Sequence, residues 1–291
     1  MIYVFFLLLV TAVWGWTFVL VKDAITQYPT LSFLEIRFVL AALVMVAAVH
    51  KRPTGRELWV GSVAGSVLAG GYLFQTVGLT MTSPGNAGLI TGLFVVFTPL
   101  IDRLFGVAVP RRTAVAVMLA LVGTLMLAGG GGAVGLGDLL VFVCAVLYAL
   151  HIVLLSQWSP GLRAAPVAMV QMATCAVLFS IVGTPSLAHA PSAQVWFAIV
   201  ITGVFASAVA YYIQTWAQAH LDASRTALIL ATEPAWALAA AIVLAGQRLS
   251  FVQAAGAALV LGAIVGHELV PLLGSRRRKN RIEGSHEHHT A

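Results

Sequence analysis

The chain has 291 residues, 60% of them hydrophobic and only 9% charged, with a mean hydropathy of +0.97. That composition excludes a water-soluble globular domain and places the chain among polytopic membrane proteins. Its formal net charge of +6 comes from 16 basic and 10 acidic residues; dispersed over loops plus one tail run, the cations imply anionic lipid and topology control, not nucleic acid.

Crossing about 30 Å of hydrocarbon takes about 20 apolar residues in a helix. Such stretches lie near 2–22, 31–49, 57–79, 84–104 and 112–129, then near 138–157, 165–183, 194–217, 224–245 and 251–271. The expectation is an all-α integral membrane protein of ten transmembrane helices with short, Pro- and Gly-punctuated connections. The first stretch lacks a basic leader and is followed by nine others, so it reads as a retained span.

In chain order, Trp14 and Phe18 share a face of the first span and suit an aromatic part of a binding cavity. In the second, Glu35 and Arg37 are two apart and cannot share a face. The third offers Tyr72 with Gln75 or Thr76. The fourth has Asn86 near its start and Pro99, a hinge candidate that leaves the carbonyl of Val95 without a donor. Trp59, Trp158 and Trp196 lie near span ends and fit an interfacial belt.

The sixth span carries Cys144, Tyr148 and His151. With Cys175 inside the seventh, no disulfide framework is indicated. In the eighth, Ser207, Tyr211, Gln214 and Gln218 follow i, i+4, i+7 and i+11 spacing and share one face. Polar stripes of this kind serve either solute contact or interhelical hydrogen bonding. Glu233 falls about 14 Å along the ninth span, near the bilayer middle, where ionisable groups are expensive and functional. Pro234 follows, a second hinge candidate that frees the carbonyl of Leu230. Glu233 and His151 are the candidates for proton coupling, His151 because imidazole titrates in the right range, although a lone histidine more often makes a structural hydrogen bond.

Placing the N-terminus inside puts Lys51, Arg52, Arg56, Arg103, Arg111, Arg112, Arg163, Arg225 and the cations of 276–281 in the cytoplasm, and leaves Lys22 and Arg248 outside. This positive-inside bias makes both termini cytoplasmic. His286, His288 and His289 read as a solvated tail, not a metal site.

Tyr-x-x-Gln-Thr occurs at Tyr72, Gln75 and Thr76 and again, 139 residues on, at Tyr211, Gln214 and Thr215. Ala69 with Ala208, Leu89 with Leu228 and Gly123 with Gly262 keep the same offset, as a duplication requires. It divides the chain into 1–132, 133–271 and a basic tail, 272–291. Five helices per copy force the second copy to enter the membrane from the opposite side. Inverted halves are a recurring basis for alternating access, with the solute site near the midplane.

Trp14-Gly15-x-x-Phe18, Thr82-Ser83-Pro84-Gly85-Asn86-Ala87-Gly88, Gly137-Asp138-Leu139-Leu140 and Glu233-Pro234, in that order, resemble the EamA-type branch of the drug/metabolite transporter superfamily. The resemblance implies a ten-helix fold and export of amino acids or other small metabolites across a cytoplasmic membrane. Arg37 stands where the family often carries an arginine in its second helix, so the resemblance implies a structural partner for a carboxylate or for backbone carbonyls, ahead of an anionic-solute role. One departure is Gln247 in the Gly-x-Arg-Leu turn, where the family commonly has Glu. The substrate-binding candidates are thus Trp14, Phe18, Tyr72, Gln75, Asn86, Tyr148, His151, Tyr211, Gln214 and Glu233. No cofactor is expected; small solute, lipid and protons are the expected partners.

Enzyme readings fare poorly. Gly135-Leu136-Gly137-Asp138 matches the Gly-x-Gly-Asp of intramembrane aspartyl proteases, which need two aspartates sharing a proton. Asp23, Asp102 and Asp222 lie at span ends, and Asp138 starts a helix that it can cap. There is no His-Glu-x-x-His, Walker loop or Gly-x-Ser-x-Gly, so secondary transport or a passive channel remains.

Overall fold

The computed structural model describes residues 2–127, 135–183, 190–245, 250–263 and 265–267. The run Gly129 to Gly132, Gln247, Arg248 and the basic tail lie outside the described residues. Among the described residues all regular structure is helical. The helices are α1 (Ile2–Gln27), α2 (Thr30–Ala48), α3 (Gly55–Met81), α4 (Pro84–Thr91), α5 (Phe94–Leu104), α6 (Arg111–Leu127) and α7 (Leu136–Trp158). Then follow α8 (Ala164–Gly183), α9 (Ala193–Val200), a π-helical stretch (Ile201–Val209), α10 (Ala210–Gln218), α11 (Ala223–Leu230), α12 (Glu233–Ala245) and α13 (Phe251–His267). Among the described residues seven helices are long and apolar enough to cross a membrane: α1, α2, α3, α7, α8, the stretch Ala87–Leu104 and the stretch Ala193–Gln218.

Local chemistry sets the helix starts. Thr54 and Glu57 form a reciprocal capping box on α3, Glu57 N donating to Thr54 Oγ1 at 3.3 Å and Thr54 N to Glu57 Oε2 at 2.8 Å. Asp138 accepts from Gly135 N at 2.9 Å and from Thr82 Oγ1 at 2.6 Å, which ties α7 to the end of α3. Ser192 and Asp222 cap α9 and α11 through the backbone N–H groups of Val195 and Arg225.

Two helical stretches are interrupted rather than continuous. The first breaks at Gly92–Leu93 between α4 and α5, the second at Ala231–Thr232 between α11 and α12. Both use the same tightened bonds: Leu93 N to Ile90 O and Val96 N to Leu93 O in one, Thr232 N to Ile229 O and Ala235 N to Thr232 O in the other. The first break lies upstream of Pro99, which sits inside α5, so its backbone departure is at Gly92–Leu93 and not at the proline. Pro234 occupies the first turn of α12, where the missing N–H is tolerated.

The bundle centre is α3, packed along α7 and α8, with α2 on α8 and on the π-helical stretch and α1 on α12. Small residues let these backbones close. A Cβ on Gly65 would stand 2.9 Å from Gln171 Cα, and one on Gly78 2.7 Å from the carbonyl of Gly137, so α3 approaches α7 and α8 at backbone contact. Phe5, Leu43, Ile181, Phe197 and Phe251 are exposed on the outside, while Gln171, Gln214, Gln218 and His151 are buried. That inside-out arrangement suits a hydrocarbon solvent. Cys144 and Cys175 are buried free thiols.

Candidate functional site

A cavity lies where α1, α3, α7 and α10 converge, with about 50 Å³ open to the centres of water-sized molecules, room for a few waters. Its wall is Trp14, Thr17, Phe18 and Val21 of α1, Arg37 of α2, Tyr72, Gln75, Thr76 and Leu79 of α3, and Phe94 of α5. Tyr148, His151 and Ile152 of α7, Tyr211 and Gln214 of α10, Leu230 of α11 and Glu233 of α12 complete it. The sequence-predicted residues Trp14, Phe18, Tyr72, Gln75, Tyr148, His151, Tyr211, Gln214 and Glu233 thus share one wall. Asn86 lies in α4, and its side chain is outside the described residues.

At the centre the two motif tyrosines meet. Tyr211 Oη donates to Tyr72 Oη at 3.1 Å, and Arg37 Nη2 donates to the same oxygen at 3.1 Å. Arg37 Nε donates to Ser207 Oγ at 3.0 Å, and the guanidinium lies 4.6 Å from the centre of the Tyr72 ring. Arg37 is 4% exposed. Among the described residues its partners are therefore two hydroxyls and the rings of Tyr72 and Phe38, not the carboxylate or backbone carbonyls expected from sequence. The hydroxyls belong to helices far away in the chain, which periodicity within α2 cannot reveal.

Gln75 holds one wall, donating to Thr91 Oγ1 at 3.1 Å and accepting from Tyr148 Oη at 3.2 Å. Gln214 instead donates to Gln218 Oε1 at 2.8 Å, and Gln218 continues to the Ile152 carbonyl and Ser156 Oγ. His151 Nε2 donates to Gln171 Oε1 at 2.7 Å, since that carbonyl oxygen can only accept. Gln171 then donates to Thr215 at 3.0 Å. His151 is thereby anchored in a buried chain of hydrogen bonds. Glu233, 6% exposed, makes no hydrogen bond among the described residues and is an ionisable group on the cavity wall.

Trp14 Nε1 donates to the Ala206 carbonyl at 2.8 Å, and its ring lies 5.4 Å from that of Tyr211. Trp59 and Trp158 pack on each other at 4.7 Å at the other end of α3 and α7, away from the cavity. Sequence reasoning missed Gln171 and Thr91. A buried amide in the middle of an apolar span was the available signal for Gln171, whereas Thr91 carries none.

Comparison with known proteins agrees on the lineage. The EamA-like transporter family matches twice, over residues 1–129 and 135–267. An uncharacterized transporter of Archaeoglobus fulgidus is 32% identical over 263 residues, covering 89% of this chain and 83% of its own. The uncharacterized inner membrane transporter YedA of Escherichia coli K12 is 24% identical over 90% of this chain and 88% of its own. One solved crystal structure shares the fold at a TM-score of 0.77 and 20% identity, over 92% of this chain and 98% of that one. Two family matches that together span nearly the whole chain, and a relative matched along most of its length, lead to one conclusion: the chain belongs to the EamA-like transporter family.

Proposed function

We propose that this transporter is a ten-helix carrier of two inverted five-helix halves, with both termini cytoplasmic, moving small organic metabolites such as amino acids outward by alternating access. It is a multi-pass protein of the cytoplasmic membrane and a transporter, not an enzyme. The observation that carries the reading is the cavity wall, to which the two copies of Tyr-x-x-Gln-Thr contribute Tyr72, Gln75, Tyr211 and Gln214. Solute sites of inverted-repeat carriers lie at such interfaces, next to broken helices. Further support comes from the matching breaks at 92–93 and 231–232 and from the double family match.

The wall is largely apolar, with a few polar groups that fix orientation. The small free volume favours a carrier, because a metabolite-sized solute needs the helices to move. Glu233 is the better proton-coupling candidate, since its carboxyl lies on the cavity wall while His151 is held by Gln171. Counterflow of a labelled amino-acid panel in proteoliposomes, with and without a pH gradient, tests this. Saturable counterflow is expected; non-saturable flux would identify a channel instead.

A further inference from the structure

We propose that Arg37, with the hydroxyl of Tyr72, is the receptor for a carboxylate on the transported solute. The inference rests on the carrier reading of the same cavity and adds the anionic group and the residues that recognise it. A guanidinium has five N–H donors. Nε and Nη2 are engaged by Ser207 and Tyr72, while Nη1 makes no hydrogen bond among the described residues. Nη1 is not among the sealed, unpartnered polar atoms, and Arg37 lines the cavity.

Arg37 also has no carboxylate within ion-pair distance among the described residues; the ion pair found there is between Arg163 and Glu57. A buried cation without a counter-charge is costly, and two hydroxyls plus the rings of Tyr72 and Phe38 offset that only in part. Tyr72 Oη accepts from both Arg37 and Tyr211, so its own proton remains to donate. One guanidinium N–H edge and one phenol O–H, on two residues that line the cavity, match the two oxygens of a carboxylate. Phosphate is the poorer fit, because the wall holds a single cation together with the acid Glu233.

The experiment measures binding to the purified, detergent-solubilised full chain by ligand-induced thermal stabilisation. The probes are L-phenylalanine and L-leucine, their carboxamides, and the decarboxylated phenethylamine and isoamylamine. The wild type should bind the acids at least tenfold more tightly than the carboxamides or amines. Arg37→Gln should bring the acids down to the carboxamide level and leave carboxamide binding unchanged; Tyr72→Phe should do so partly. If Arg37→Gln does not fold, Arg37→Lys, which keeps the charge but loses the planar fork, should weaken the acids selectively. The proposal is overturned if neither acid binds the wild type, if carboxamides bind equally well, or if the folded Arg37 variant keeps the preference for acids. Counterflow of the acid that binds is measured separately: acid-selective binding without saturable counterflow would sink the carrier reading and leave the receptor standing. Counterflow without acid selectivity would do the reverse.

Discussion

Two helices break in the middle of this molecule, and they break alike: α4 and α5 part at Gly92–Leu93, α11 and α12 at Ala231–Thr232, each with the same pair of short-range hydrogen bonds. The positions are 139 residues apart, the offset that also joins Tyr72 and Tyr211. Their side chains differ. Where the first break sets Thr91 beside Gln75 and Phe94 on the cavity wall, the second sets Leu230 and Glu233 there. A shared backbone device thus carries a satisfied polar contact at one break and, among the described residues, a carboxyl without a hydrogen bond at the other. The backbone break is shared, while an ionisable side chain, Glu233, stands on the cavity wall at the second break.

The strongest way to break the comparison is to remove that asymmetry. Glu233→Gln is expected to abolish the pH dependence of transport and to lower counterflow in proteoliposomes by at least a hundredfold. His151→Ala should lower it by less than tenfold, because His151 is fixed by Gln171. Equal pH dependence in both variants and the wild type would end the coupling role of either residue.

Packing around the two breaks is the next lever. A Cβ at Gly15 would stand 2.7 Å from Ala237 N and 2.9 Å from the Glu233 carbonyl, whereas one at Gly88 meets only the edge of Phe18 at 3.9 Å. Gly15→Val should therefore destabilise the protein by about 3 kcal/mol through overpacking against backbone. Gly88→Ala should stay within about 0.5 kcal/mol. Thermal denaturation in detergent separates them; similar melting shifts would mean that α12 can slide away from α1.

The paired tyrosines sharpen the comparison further. Tyr72→Phe loses the oxygen that accepts from both Arg37 and Tyr211 and should cost about 1–3 kcal/mol, while Tyr211→Phe removes one donor and should cost about 0.5–1.5 kcal/mol. A double-mutant cycle should return a coupling of about 1 kcal/mol. The smallest effect belongs to Trp59→Phe, expected within about 0.5 kcal/mol, since Trp59 is a half-exposed ring packed on Trp158.

Much of this arrangement was legible in the chain. The stripe Ser207, Tyr211, Gln214 and Gln218 became a buried face, and Trp14 and Phe18 share the cavity wall because residues four apart stack on one side of a helix. Glu233 stood out because an acid near the middle of an apolar span is costly, which favoured a functional role over a protonated acid bonded to a neighbouring helix. Less legible was the winding of the Tyr211 helix. α3 is a regular 27-residue helix, whereas its counterpart turns π-helical over Ile201–Val209, the stretch from which Ser207 meets Arg37. A Cβ at Gly203 would stand 2.9 Å from the Arg37 carbonyl, so this stretch also packs closely on α2. Nothing in the residues ITGVFASAV demands an extra residue per turn.

By itself the sequence determined the solvent of this protein, its all-helical character, its duplicated motif and which helix faces are polar, because hydropathy and helical periodicity are local properties of the chain. Only the tertiary structure decided which polar groups meet. Arg37 on Ser207, Gln171 between His151 and Thr215, and Tyr211 on Tyr72 join residues 170, 20, 44 and 139 positions apart. Such pairings depend on the rotation and depth of one helix against another, which small-residue contacts fix and a single span cannot encode.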